Sequence, residues 1–548
     1  MKKIYSVFAV IFFSLFSAGT LFSQVPAWAW ACGAGGLGFS DYASSVAVDA
    51  AGNVYAAGYF GSNTITFGTT VLVNVAFEDL FIVKYDPNGN VLWARSAGGD
   101  YTEEVRTLAV DASGNLVVAA IFASSTLTFG TTTLVNAGNT DLFIAKYDPA
   151  GNVLWAKSAG GYSGDYSTGV VADLSDNIFL TGYFSSPSIT FDSITMTNQG
   201  LFMVKYGPGG NVIWAKGSEG TQSILPDGIA TDAAGNCYAS GEYWNDTLIF
   251  SPVVLKNTNG NNGDIFLVKY DAGGNVLWAK STGGFGIDYG QAIAADAAGN
   301  VYFGGTFHSS WILFDSIKLT NPDSAVNTGF FIAKYDAGGN VLWASKAGAQ
   351  YDDQVSSVAV DSSGNCYLAG NFNCDTLDFG PVKLANTVPY YTDIFIAKYD
   401  AGGIVQWATH ASGVENEDTY CITADPAGNV YVVGGYKGTS VTFGTTTLIN
   451  LGWWDLFVAK LGSTNVGIHP PDNPASIAVF PNPATDILNV NLPQKSELEI
   501  LTIEGQIVRT FNSETQMTTI NIQSLSNGLY LLKATTGNEV VIRKFIKQ

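Results

Sequence analysis

Basic residues are scarce in this sequence. Lys and Arg number 25 against 46 Asp and Glu, which leaves a formal net charge of −21. No segment clusters the Lys and Arg that a phosphate-binding surface needs, so nucleic acid is excluded as a partner. Histidine is scarcer still. His308, His410 and His469 lie in separate regions without H-E-x-x-H or H-x-H spacing, which leaves metal or triad chemistry unsupported. The five cysteines are an odd count with no C-x-x-C pair, so neither zinc nor a disulfide framework is expected. Charged residues are 13% and hydrophobic residues 47%, which excludes a disordered chain. Beyond the N-terminus no run reaches the roughly 18 apolar residues of a membrane helix.

The N-terminus itself is apolar. MKK followed by IYSVFAVIFFSLFSAGTLF has the basic and hydrophobic regions of a signal peptide, residues 1–23, with cleavage expected between Ser23 and Gln24. The expected product is an exported monomer without a transmembrane span.

What the chain has in abundance is repetition. Trp30, Trp93, Trp155, Trp214, Trp278, Trp343 and Trp407 recur every 59 to 65 residues. A D-x-x-G-N turn begins at Asp49, Asp111, Asp173, Asp232, Asp296, Asp361 and Asp425 (DLSDN in the third unit). A lysine in F-I-x-K-Y-D or its variants recurs as Lys84, Lys146, Lys205, Lys269, Lys334, Lys398 and Lys460. Self-similarity on this scale marks an array or a propeller.

Each unit reads as four main strands, illustrated by SSVAVD (44–49), VYAAGYF (54–60), DLFIVKYD (79–86) and VLWARS (91–96). The runs are short, apolar and bounded by turn residues. Asp opens each tight turn and Gly takes its positive φ. D-x-x-G-N lacks the later acidic ligands and closing Glu of a calcium loop, so it reads as a turn. A further small hairpin, such as NTITFGTTVLVN (63–74), separates the second and third strands. In chain order the sequence runs fourth strand, six complete units, then first, second and third strands. A ring explains this order: the segment around Trp30 supplies the strand that the last unit lacks. An open solenoid would instead need polar caps. The expectation is all-β: a seven-bladed β-propeller over 24–462, closed by the N-terminal strand.

The pattern D-x-x-G-N-x-Y-x-x-G, as in DAAGNVYAAG (49–58), resembles the bacterial β-propeller repeat family known as SBBP. The resemblance covers residues 30–460 and implies a fold but no activity.

After Gly462 the repeat stops. Residues 463–475 read as a Pro-rich linker and 476–548 as a small β-sandwich. FPNPATDILNV (480–490), EGQIV (504–508), SLSNGLYLLKA (524–534) and KFIKQ (544–548) resemble the C-terminal sorting domain of the type IX secretion system. That resemblance implies the type IX machinery as a partner, passage across an outer membrane, and release or attachment at the cell surface.

Two features are candidate sites. Eight positions before each D-x-x-G-N aspartate stand Asp41, Glu103, Asp165, Ile224, Asp288, Asp353 and Glu417. The six acids would form a cation ring on one rim, calcium being the ion it would take. The other reading is a carboxylate that caps backbone N–H groups in its own loop, and a cap is what repeats with the blade. The second feature is the set of tryptophans outside the strand pattern: Trp244, Trp311, Trp453 and Trp454, with Tyr390 and Tyr391 in the equivalent region of the sixth unit. All fall between the second and third strands and would share one face, as a glycan- or protein-binding surface requires. They would equally fill the cores of the longer hairpins. No carboxylate pair stands out from the repeat in the sequence. The function expected is therefore binding at the cell surface without catalysis or cofactor; the alternatives are a polysaccharide hydrolase and a purely structural surface-layer component.

Overall fold

The computed structural model describes residues 25–219, 223–258, 262–321, 328–348, 353–386, 388, 390–462, 478–480, 484–491, 496–502, 506–513, 517–536 and 539–548. Ser23, Gln24, His469 and the linker expected at 463–475 lie outside them. The chain divides into two compact units, Met1–Gly462 and Ser463–Gln548. Every regular element among the described residues is a β-strand.

The first unit is built from repeated four-stranded antiparallel sheets, consistent with a β-propeller. In the first repeat the strands are Asp41–Val48, Val54–Phe60, Asp79–Tyr85 and Val91–Ala97, in that spatial order. The second and third strands are buried along almost their whole length, which is why they read as continuous apolar runs. A two-stranded hairpin, Thr64–Phe67 with Thr70–Val73, leaves the sheet between them. The first strand begins at Asp41, three residues before the run SSVAVD, because Asp41 and Tyr42 pair with Phe60 and Tyr59 across a bulge at Ser44.

The last repeat ends with its third strand, Asp455–Leu461. The strand Trp28–Ala34 pairs antiparallel with it, Cys32 opposite Val458 and Gly33 opposite Phe457. Consecutive first strands pack side by side along the chain, and the last of them, Glu417–Ala424, packs against the first, Asp41–Val48. One apolar core joins both ends: Val46, Val54 and Phe81 share it with Tyr431, Leu456 and Val458.

The C-terminal unit holds a three-stranded sheet with Ile487–Asn491 at its centre and a four-stranded sheet built on Glu497–Leu501 and Gly528–Thr536. Leu488 and Val490 from the first sheet and Leu498, Ile500, Leu532 and Phe545 from the second bury a common core.

Candidate functional site

The residues that repeat are occupied with holding the repeat together. Asp49 Oδ1 accepts from the N–H groups of Ala51 and Asn53, and Asn53 Nδ2 donates to Asp49 Oδ2 at 2.7 Å. This is an Asx-type turn, with Gly52 at φ 81°. The Lys84 ammonium lies 3.6 Å from Asp49 Oδ2 and 4.7 Å from the Tyr55 ring centroid, and donates to the Pro149 carbonyl of the next repeat. The Trp93 indole N–H donates to that same carbonyl, while its ring lies against Gly151. Trp30, at the other end of the chain, makes the matching bond to the Pro87 carbonyl.

Five of the six acidic positions open first strands, Asp353 stands one residue before Gln354, and all six are fully buried. They do not converge as a rim-wide ring; each serves its own corner. Asp41 Oδ1 accepts from the N–H groups of Gly61 and Ser62, and its Oδ2 from Gly36 N–H and the Ser62 hydroxyl. Asp165 accepts from the N–H of Ser185 and of Ser186 and from the Ser186 hydroxyl. Asp288 accepts in the same way around Ser309. Gly99 N–H donates to Glu103, Asn373 N–H to Asp353 and Gly413 N–H to Glu417. Among the described residues no group of three or more His, Cys, Asp or Glu is placed to hold a metal.

The off-pattern aromatics differ in burial and surroundings. Trp311 is half-buried, edge-on to Phe285 and beneath the Lys318 ammonium. Trp244 is half-buried beside Gly263. Trp453, Tyr390 and Tyr391 are exposed. Trp454 alone reaches a polar centre, packing on Tyr42 with ring centroids 5.6 Å apart. Sequence reading passed over a second set of exposed aromatics on the loops entering the first strands: Phe39, Tyr101, Tyr162 and Phe285.

That centre is built by the bulges. The ladder between first and second strands slips by a residue in every repeat, at Ser44, Arg106, Thr168, Asp227, Ser356 and Tyr420, and at Gly290–Gln291 in the fifth. A bulge re-aims its side chain out of the sheet. Here it turns seven residues of six types, Ser44, Arg106, Thr168, Asp227, Gln291, Ser356 and Tyr420, toward a cavity of about 280 Å³ ringed by all the first strands. Further along the same strands the lining becomes apolar, with Val48, Val110 and Val360. A neighbouring cavity of about 330 Å³ is shared by Arg106, Tyr166, Tyr183 and Asp227.

Around this mouth stand Tyr59, Tyr420 and Trp454, each in ring contact with Tyr42. Arg106 pairs with Glu104 at 2.9 Å and keeps 43% of its side chain exposed. The sequence showed no carboxylate pair apart from the repeat; the structure corrects this. Asp227, at the fourth bulge, is hydrogen-bonded to Glu242 on the adjacent strand. Burial, then the Asp227 charge, pushes Glu242 far above the usual carboxylate range, so Glu242 carries the proton and donates it. Its Oε2 is buried without a partner. In the sequence this column reads Ser, Arg, Thr, Asp, Gln, Ser and Tyr, but the columns on either side vary as well, so nothing there set it apart before the bulge was seen.

Residues 478–548 match the family described as Secretion system C-terminal sorting domain, so the tail carries a type IX sorting signal. No helix of the described residues is long and apolar enough to cross a membrane. Over 530 residues the chain is 24% identical to an uncharacterized WD repeat-containing protein, L264, of Acanthamoeba polyphaga mimivirus, covering 79% of this chain and 38% of that protein. It is 26% identical over 204 residues to the regulatory protein FlaEY of Caulobacter vibrioides, covering 34% of this chain and 20% of that one. The chain thus spans less than half the length of either relative. Among solved structures, a chain of the Mitotic Checkpoint Complex aligns with a TM-score of 0.39 at 11% identity, over 84% of this chain and 99% of that one. The sorting family accounts for the tail, and through it for export to the cell surface or beyond.

Proposed function

We propose that the exported chain is a seven-bladed propeller of the SBBP type, closed by its N-terminal strand and followed by a sandwich-like sorting domain. It binds a glycan or protein at the cell surface through the mouth of its central channel, without catalysis. The observation that carries this reading is the ring of side chains at the seven bulges, which holds six different residue types. Symmetry would allow one residue type there, as it does at the turns, and an asymmetric ligand is what unlike residues suit.

The chemistry of the mouth favours a glycan end. Tyrosine and tryptophan rings offer flat apolar faces, while Arg106, Asp227 and Gln291 offer donors and acceptors for hydroxyls. A hydrolase using paired carboxylates needs them about 5 Å or more apart. Asp227 and Glu242 are close enough to share a hydrogen bond, which supports binding over glycoside hydrolysis. A purely structural role would leave the unlike ring without a purpose.

A glycan array probed with the full chain tests the proposal, beside Arg106→Ala, Trp454→Ala and Trp311→Ala variants. The expected result is a defined set of glycans whose signal falls at least about tenfold for Arg106→Ala and Trp454→Ala and persists for Trp311→Ala. Equal signals from all four proteins would remove the channel mouth as the site.

A further inference from the structure

The charge of the channel mouth is as uneven as its residues. Two positions before each bulge residue, the first strands carry Tyr42, Tyr166 and Tyr289 and the acids Glu104 and Asp418. Paired with that position on the second strands stand Tyr59, Tyr183 and Glu242. No Lys or Arg occupies either position in any repeat.

The joined chain ends bring part of this wall together. Tyr42 and Tyr59 come from the first repeat, and Asp418, Tyr420 and Trp454 from the last. The Tyr420 ring stands edge-on to Tyr42 at 79°, with centroids 5.9 Å apart. Gly435, which pairs with Asp418, leaves room for the rings: a Cβ there would stand 3.0 Å from Tyr42 and 3.3 Å from Trp454. Burial, then the Asp418 and Glu78 charges, holds the Tyr42 hydroxyl above its ordinary range, and burial, then Asp418, does the same at Tyr420. Asp418 accepts a long 3.4 Å bond from the Thr392 hydroxyl. Among the described residues no Lys or Arg is ion-paired with Asp418, Glu78, Asp227 or Glu242.

In the third repeat Tyr166 and Tyr183 stack with centroids 5.1 Å apart, and they line the cavity of about 330 Å³ with Asp227. Glu242, 4% exposed, is bonded to Asp227 and keeps Oε2 without a partner. Arg106 is the one basic side chain lining this cavity or the neighbouring one, and Glu104 already neutralises it. The mouth therefore offers aromatic faces beside uncompensated carboxylates. It repels an anion and gives a neutral sugar only the faces. A cation gains from both, because an ammonium is drawn to a ring face as well as to a carboxylate.

We propose that the mouth takes a glycan end bearing a protonated amine, a glucosamine-type sugar, with its ammonium seated among the Tyr42, Tyr420 and Trp454 rings against the Asp418 carboxylate. This assignment rests on glycan binding at the mouth and specifies the charge of the sugar. Arg106, neutral as a pair with Glu104, remains a donor to the sugar's hydroxyls.

The test is isothermal titration of the full chain at about pH 6, where a sugar amine is mainly charged. The probes are the glucosamine tetramer, its N-acetylated counterpart, the galacturonic acid tetramer and trilysine. The expected result is that the glucosamine tetramer binds at least about tenfold tighter than the other three and weakens as NaCl rises from about 0.05 to 0.5 M. Asp418→Asn should weaken it about threefold or more and narrow its lead over the N-acetylated tetramer; Glu78→Gln gives the same reading if that variant does not fold. A smaller lead over either sugar, or an unchanged lead in the folded variants, overturns the proposal and leaves glycan binding standing. A smaller lead over trilysine overturns it in favour of a basic peptide. No sugar binding, here or on the glycan array, removes the glycan reading as well.

Discussion

Lys146 and Asp111 meet at 2.7 Å with both side chains almost wholly buried. Removing one partner strands the other, so Lys146→Met should lower stability by about 3 kcal/mol, read from a urea melt. The exposed pair Lys383–Asp378, equally short at 2.7 Å, should tolerate Lys383→Met with a change below about 1 kcal/mol. Gly98→Ala places a methyl where the Asp79 carboxylate lies and should cost about 1–3 kcal/mol in the same assay. The turn aspartates, the lysines and the strand tryptophans were legible in the sequence because seven copies of one environment select one residue type. Glu242 was not legible. It lies fifteen positions after Asp227, and only the strand register, with Leu225 opposite Glu242, brings the two together.

At the scale of the element, the bulge decides what the sequence can reveal. A period of two assigns alternate residues to alternate faces, but a one-residue slip at Ser44 or Arg106 breaks that rule where the channel begins. The acidic positions were expected on loops; five of the six open strands instead, Asp353 standing just before Gln354, and Asp41, Glu103, Asp165, Asp288 and Asp353 each accept from the residues that follow the second strand of their own repeat. The aromatic set was expected on one surface. Within it Trp311 and Trp244 are half-buried, beside Phe285 and Gly263 respectively, while Trp454 packs on Tyr42. The strand tryptophan fastens one repeat to the next through its indole N–H and ring. Trp93→Ala should therefore cost about 3 kcal/mol, seen as a drop in Tm and earlier proteolysis of the Val91–Ala97 strand.

For the whole molecule, the buried acids set an unusual pH response. Burial is the largest cause that raises Glu103 to about 7 and Asp288 to about 6, above the ordinary 4.5 and 3.8. Between pH 4 and 7 the folded chain holds protons that the unfolded chain releases. This contribution to stability is complete below about pH 4 and is lost as pH rises through 6 to 7. The chain should accordingly melt at a higher temperature at pH 5 than at pH 8. A flat or opposite Tm profile would show that these acids do not stay protonated. The alternation of turns and strands made the repeating sheets legible, and the half-repeats at the two ends pointed to their joining. The central claim is that joining, with Trp28–Ala34 completing the sheet of Asp455–Leu461. Amide hydrogen exchange on the full chain tests it most directly. The account predicts that Ala31 to Ala34 are protected to the same degree as Leu456 to Ala459; exchange of Ala31 to Ala34 at the rate of a free peptide, with Leu456 to Ala459 protected, would contradict it.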